Sequence, residues 1–205
     1  AISHVFLVQV MFVMAAFALA ETHTDSDRYL VLKPGKAAEL WLSGTSNVHR
    51  WQCKAGEVQG ALLTNISAQR MRSKVLAYLD GRLPEAVEGS EMHVWLTVRP
   101  EDLECANDRM HRDLNRAVRA DEYPEIKYWY RGMGSAPKIV TGEDGAELRV
   151  DVVGDLFLGG EMRSVVHTSK IRLKEKNIII VEGKLELDMR DFDIDPPTAL
   201  LGIIR

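Results

Sequence analysis

The sequence lacks most of the motifs and charge patterns that mark catalytic or nucleic-acid-binding proteins. It has no Gly-x-Ser-x-Gly motif, no glycine-rich loop that leads into a helix and no His-Glu-x-x-His motif. It therefore gives no indication of a serine hydrolase, a nucleotide site or a zinc protease. A formal net charge of −4 over 205 residues argues against a nucleic-acid-binding surface, which needs a clustered basic excess. A hydrophobic fraction of 46% fits a single domain with a sizeable core.

The chain has only two cysteines, Cys53 and Cys105. In an oxidising compartment an even number of cysteines favours a disulfide. The alternative is two free, buried thiols that act as small hydrophobic side chains. The chain has no Cys-x-x-Cys motif, and His49 with Cys53 alone is a weak pair of metal ligands. The sequence therefore indicates neither a redox site nor a metal site.

Long apolar runs are absent except at the N-terminus. The segment Val5–Leu19 is apolar apart from Gln9, and Ala18–Ala20 supplies the small residues of a signal cleavage site. The run is too short to span a bilayer comfortably and suits a signal peptide. We predict a secretory signal peptide at residues 1–20, incomplete at its N-terminus, and a single domain at 21–205. An uncleaved anchor is the alternative.

Alternation of apolar and polar residues dominates the rest of the chain. It is strict from Val181 to Arg190 and recurs at Leu148–Leu158 and Met92–Val98. Such alternation is typical of strands with one buried and one solvated face. Many short strands separated by glycine-containing turns predict a mainly antiparallel all-β fold, a sandwich or a barrel. The shorter candidate strands are Tyr29–Leu32, Glu39–Ser43, Asn47–Cys53, Val58–Leu63, Ile126–Arg131 and Val165–Leu173.

One segment departs from the β pattern. Between Asn107 and Arg119, the apolar residues Met110, Leu114 and Val118 are spaced four apart. This spacing predicts one short amphipathic helix, which we expect to lie across one end of a barrel. A second helical turn at Ala68–Leu79 is only weakly indicated.

The acidic residues of Asp191-Phe-Asp193-Ile-Asp195 resemble a paired carboxylate site, but they alternate. We expect them to lie on the solvated face of one strand, with Phe192 and Ile194 on the other face. General acid–base catalysis is the alternative. Among the six histidines, His49 belongs to a Ser-Asn-Val-His motif. A structural role in a loop and a contact with a ligand head group are both open for it. His167 lies in a strand whose facing the sequence leaves ambiguous.

Several motifs occur in series along the chain. They are Trp41-Leu-Ser-Gly-Thr-Ser-Asn-Val-His-Arg-Trp-Gln-Cys53, Leu103-Glu-Cys-Ala-Asn-Asp-Arg-Met110, Tyr123-Pro-Glu-Ile126, Gly154-Asp-Leu156 with Gly159-Gly-Glu-Met-Arg163, Gly183-Lys-Leu185 and Asp191-Phe-Asp-Ile-Asp-Pro-Pro197. In this order and spacing they resemble the YceI-like family of bacterial lipid-binding proteins, from about Leu30 to the last residue. The resemblance implies a periplasmic or secreted, lipocalin-like up-and-down β-barrel. Such a barrel would hold a long-chain amphiphile (an isoprenoid, quinone-like or fatty lipid) without catalysis.

The resemblance also implies a set of ligand-binding residues. The tail would lie against apolar strand residues, and the head group near Trp51, His49 and Arg163. Apolar alternation is equally typical of a filled core, so the ligand itself comes from the resemblance alone. The whole set is Trp41, His49, Trp51, Val94, Leu96, Met110, Leu114, Ile126, Tyr128, Leu156, Leu158, Arg163, Leu185 and Leu187. No catalytic or metal-binding residue is implied, and no cofactor beyond a bound lipid or isoprenoid quinone.

The chain departs from the family pattern at two places. Glu161-Met-Arg163 stands where family members carry a small residue and a threonine before the basic residue. After Pro196-Pro197 the family continues into one further strand, so we expect the closing C-terminal strand to be missing here. A barrel without it would expose unpaired edges.

The expected partners are a hydrophobic small molecule and, transiently, a membrane surface during ligand exchange, with no nucleic acid. The oligomeric state stays open, with a dimer as one alternative. Two other functions are open as well. One is a stress-related or adhesive barrel with a packed core and no ligand. The other is a lipid-modifying enzyme that uses His49 as a base.

Overall fold

A computed structural model describes residues 7–18, 30–34, 38–45, 50–84, 88–142, 145–174 and 178–195. Twelve strands and two α-helices account for most of them. The strands are β1 Leu7–Ala18, β2 Leu30–Leu32, β3 Glu39–Thr45, β4 Arg50–Ala55, β5 Gln59–Thr64, β6 Met92–Val98, β7 Leu103–Cys105, β8 Ile126–Met133, β9 Lys138–Gly142, β10 Gly145–Leu158, β11 Glu161–Lys174 and β12 Ile178–Asp188. The helices are α1 Ala68–Leu79 and α2 Asp108–Ala117.

The strands form one antiparallel sheet in the order β2-β5-β6-β8-β10-β11-β12-β1-β3-β4-β7, with β9 paired to β10. The sheet curls strongly into a half-barrel and is not closed. The predicted all-β, mainly antiparallel fold is therefore confirmed.

The long strands β10 and β12 follow the predicted alternation. Leu148, Val150, Leu156 and Leu158 of β10 are buried, as are Leu185 and Leu187 of β12. Adjacent strands are in register, so that Leu156 lies opposite Arg163 and Ser169 opposite Gly183. Because side chains alternate along each strand, one face of the curled sheet is apolar and encloses the core.

The strand β1 occupies a central position between β12 and β3. Its Val10 lies opposite Leu185 on one side and Leu42 on the other. A continuous apolar run is typical of a strand inside a sheet as well as of a signal peptide. The segment predicted as a signal peptide thus contains a strand of the described fold, and its cleavage stays a prediction.

Within the described residues, α2 lies where the amphipathic helix was predicted, and α1 lies at Ala68–Leu79, where the sequence indicated a second helical turn. In α2, the Asn107 side chain accepts a hydrogen bond from the Met110 amide at 2.9 Å, which caps the helix. Leu114 and Val118 are buried, as their spacing predicts. The second helix, α1, begins after Ser67, whose hydroxyl accepts from the Arg70 amide at 3.3 Å. Its apolar stripe is weaker, which is why the sequence indicated it poorly.

The prediction that Asp191–Asp195 forms a strand is wrong. Met189–Phe192 is a 3₁₀ turn, and Asp193 follows it in the left-handed region at φ 52°. Phe192 and Ile194 are nonetheless buried and the acidic side chains exposed. The 3₁₀ turn places Met189 and Phe192 three residues apart on the buried side, and the left-handed Asp193 after it lets Ile194 turn inward, so the segment shows the exposure pattern expected of a strand.

Two clusters of buried side chains fill the concave face. The main cluster joins β3, β4, β10 and β12 to α2 and the 3₁₀ turn at Met189–Phe192. The second cluster lies toward α1 and is built around Leu32, Leu62, Ala68 and Ile179.

Candidate functional site

A small apolar cavity lies within the main cluster. Its volume is about 40 Å³, little more than the 30 Å³ or so that one water molecule occupies in the liquid. Eight residues of the predicted ligand-binding set line it: Trp51, Leu96, Leu114, Ile126, Tyr128, Leu156, Leu158 and Leu187. The fold thus brings most of the predicted set to one place, at the centre of the half-barrel.

Helix α2 forms one wall of this cavity. Leu114 and Val118 line it from the helix, and Met110 packs at the edge of the same cluster. The strands β3, β4, β10 and β12 supply much of the remaining wall. The helix therefore separates the cavity from solvent on that side.

The two cysteines anchor the chain next to this helix. Cys53 of β4 and Cys105 of β7 are paired in the sheet with their sulfur atoms at disulfide-bonding distance. Cys53 is fully buried in the main cluster. This pairing agrees with the sequence prediction and is compatible with an oxidising, exported location.

A band of polar groups crosses the concave face between the two clusters. We define this polar band as Tyr128, His167 and Ser169. The Tyr128 hydroxyl lies 2.9 Å from His167 Nε2, and the Ser169 hydroxyl lies 3.3 Å from His167 Nδ1. One ring nitrogen of a neutral imidazole donates and the other accepts. The band is thus a chain of hydrogen bonds that runs from β8 to β11.

Two glycines make room for the band. A Cβ atom at Gly154 would lie closer than 3.0 Å to the Tyr128 ring and hydroxyl, and one at Gly183 would lie 3.1 Å from His167 Nδ1. Any larger residue at Gly154 would displace the phenol. The Tyr128 and His167 rings therefore lie against glycines of neighbouring strands.

Burial keeps both titratable groups of the band in their neutral forms. It raises the pKa of Tyr128 far above its ordinary value, and the nearby Tyr130 and the Asp155 carboxylate raise it further. Burial likewise lowers the pKa of His167, against a smaller opposing effect of a backbone hydrogen bond with Thr168. At neutral pH the band therefore presents hydroxyl and imidazole groups without a net charge.

The apolar residues of the predicted set outside the cavity wall lie in both clusters. Leu185 is buried in the main cluster, and Val94 packs against the second. Both therefore face the barrel interior, one on each side of the polar band.

Of the predicted mouth residues Trp51, His49 and Arg163, Trp51 lies in the cavity wall. The remaining polar and aromatic residues of the predicted set lie elsewhere or outside the described residues. Trp41 is on the outer face, where the Lys54 ammonium lies 5.0 Å from its ring centroid. Arg163 is exposed and donates to the Asp191 carbonyl at 2.8 Å. His49 lies outside the described residues. Trp41 and Arg163 therefore do not line the cavity.

Sequence reasoning left His167 undecided and missed Ser169. The spacing along β11 could have indicated the inward face, because the apolar residues Ile171 and Leu173 lie on it and pack toward the interior. Counting back by twos from them places Ser169 and His167 on the same face. The glycine at Gly183, directly opposite Ser169, is a second sign of crowding there.

Within the described ranges, no group of three or more His, Cys, Asp or Glu side chains is placed to hold a metal ion. In the same part of the chain, neither helix is long and apolar enough to cross a membrane. Comparison of the chain with models of protein families finds no match, and comparison with curated proteins finds none either. The resemblance to the YceI-like family therefore stays a prediction.

Proposed function

We propose that this protein is an exported, non-enzymatic carrier that holds a long-chain amphiphile inside the half-barrel, as YceI-like proteins are expected to do. The observation that carries the proposal is the apolar cavity lined by eight of the fourteen predicted ligand-binding residues. An apolar tail gains about 0.8 kcal/mol for each methylene it buries. Tight binding therefore needs no catalytic group.

The size of the cavity sets a condition on this function. At about 40 Å³ it is much smaller than the roughly 150 Å³ of a dry cavity that takes benzene. A long tail therefore binds only if side chains of the wall move. Helix α2 is the element best placed to do so, because it contributes Leu114 and Val118 to the wall and packs across the open concave face.

The same volume favours a second candidate, a barrel with a packed core and no ligand. A packed lumen is what a stress-related or adhesive barrel would need. The two functions differ in one measurable property. A carrier has a saturable site whose affinity rises with tail length, whereas a packed barrel has none.

The test is a titration of the purified exported protein with octanol, dodecanol and hexadecanol, read by native mass spectrometry and tryptophan fluorescence. A methylene worth about 0.8 kcal/mol corresponds to roughly a four-fold gain in affinity. Any lipid already present in the purified protein would appear as a stoichiometric adduct. A protein that stays free of all three alcohols would refute the carrier and leave the packed barrel.

Two variants locate the site. Leu114→Trp fills the cavity from the helix, with Leu83→Trp as a matched control on an exposed residue. Leu114→Ala enlarges the same cavity. We expect the first to weaken hexadecanol binding, the control to leave it unchanged and the third to strengthen it. Equal binding by all three would place the alcohol elsewhere.

A further inference from the structure

The polar band is the feature of the interior that an apolar carrier does not require. Tyr128 belongs to the main cluster, and His167 and Ser169 lie between that cluster and the second one. On β11, Val165 packs against the main cluster and Ile171 against the second. A buried hydroxyl in such surroundings costs free energy unless it is hydrogen-bonded. If this position served packing alone, apolar side chains would fill it at a lower cost in free energy.

The band is also continuous with the cavity. Tyr128 lines the cavity with its ring and reaches His167 with its hydroxyl. A molecule whose tail lay in the main cluster would therefore meet the hydroxyl of Tyr128 at the end of the cavity. The Ser169 hydroxyl, buried in the same band, offers one donor and two acceptor positions, and its contact with His167 takes one of them.

Charge decides which head group fits. The inner-face neighbours of the band on β11 and β12 are Val165, Ile171, Val181 and Leu185, which are all apolar. The Asp155 carboxylate, which raises the pKa of Tyr128, is paired with Arg131 on the outer face. Because none of these four neighbours is cationic, an anionic head group would lack a counter-charge from them in a desolvated place, and this is unfavourable.

We propose that the polar band binds the uncharged polar group of the amphiphile, a hydroxyl or carbonyl, in the middle of the half-barrel rather than at its mouth. This inference rests on the proposed carrier function. It replaces the mouth residues Trp51, His49 and Arg163 as the expected head-group contacts. It also separates neutral lipids such as long-chain alcohols, phenols and quinones from fatty acids and phospholipids.

The test compares three probes of equal tail length: hexadecane, hexadecanol and hexadecanoate, each delivered from the same cyclodextrin stock. We expect hexadecanol to bind about two- to ten-fold more tightly than hexadecane, the range of one net hydrogen bond. We expect hexadecanoate to bind more weakly than hexadecanol. The variant Tyr128→Phe keeps the ring and removes the hydroxyl. It should abolish the preference for the alcohol, so that hexadecanol and hexadecane bind this variant equally well.

The matched control is Tyr123→Phe, which removes a hydroxyl from a ring that packs on Phe157, outside the band. A merely structural band would lower the melting temperature of Tyr128→Phe without changing the ratio of alcohol to alkane affinity. Equal binding of alcohol and alkane, or tighter binding of hexadecanoate, would overturn the inference and leave the carrier function standing. Failure of all three probes to bind would overturn the carrier function, and the inference with it.

Discussion

The disulfide between Cys53 and Cys105 gives the sharpest stability prediction. The bond joins β4 to β7 across 52 residues of sequence. The loop contains α1, β5 and β6, so the bond connects segments that would otherwise be held together only by the sheet. Breaking the bond should therefore raise the conformational entropy of the unfolded chain and so destabilise the folded protein relative to it.

The loop length gives the magnitude. In the chain-entropy model, closing a loop of this size stabilises the folded protein by about 4 kcal/mol at 25 °C. For a domain of this length, each kcal/mol shifts the melting temperature by roughly 2–4 °C. Loss of the bond should therefore lower the melting temperature by about 8–16 °C.

The assay compares the oxidised protein, the same protein after reduction and the double variant Cys53→Ala/Cys105→Ala. Reduction removes the bond but keeps both sulfur atoms, so it isolates the cross-link. The double variant also leaves a small void, because Cys53 is fully buried. We expect the oxidised protein to melt highest and the double variant at or slightly below the reduced protein. Melting temperatures within about 2 °C of one another would refute the reasoning, since the loop-closure contribution would then be absent.

Three further predictions concern the interior and the N-terminal strand. Gly154→Ala places a methyl group against Tyr128 and should cost about 1–3 kcal/mol in urea unfolding, whereas Gly132→Ala meets nothing within 4 Å and should cost less; equal losses would contradict the close contact. Because burial lowers the pKa of His167, the unfolded chain binds its proton more readily. Stability should therefore fall as the pH drops below about 6.5, and less so in His167→Gln; a variant with the wild-type pH profile would count against this. Deleting residues 1–20 removes β1 and should lower the urea midpoint if that strand belongs to the folded protein, and leave it unchanged if the segment is only a signal peptide.

The elements that the sequence predicted well are those in which local pattern and burial agree. In β12, every second residue from Val181 to Met189 is apolar or small, and this side faces the core. In α2, the spacing of Met110, Leu114 and Val118 matches the helical repeat, and Asn107 provides the cap. Period and cap are local properties, so one sequence suffices to read them.

The predictions that failed or stayed open depended on information that is not local. The alternation of Asp191–Asp195 fits a strand, but the chain turns there because Asp193 adopts a left-handed conformation. The facing of His167 depends on its strand partners, which only the sheet topology fixes. Helix α1 packs on the second cluster through few apolar residues, so its stripe was weak in the sequence.

The candidate site also has one part that the sequence pattern predicted and one part that depends on strand pairing. The apolar wall of the cavity followed from alternation and resemblance together, and eight of its residues were anticipated. The polar band was not, because Tyr128, His167 and Ser169 are far apart in sequence, and strand pairing brings them together. A histidine on an otherwise apolar strand face marks such a place, but its partners on other strands stay hidden until the register is known.

The direction of the strands around β1 bears on both the fold and the export proposal. The strand β1 is antiparallel to β12 on one side and to β3 on the other, so β12 and β3 run parallel to each other. If residues 1–20 were cleaved, direct pairing of β12 with β3 would be parallel within an otherwise antiparallel sheet. A single strand that runs opposite to both would instead keep the antiparallel pattern and cover two edges. The position of β1 therefore has the strand direction that keeps the sheet antiparallel from β12 to β3.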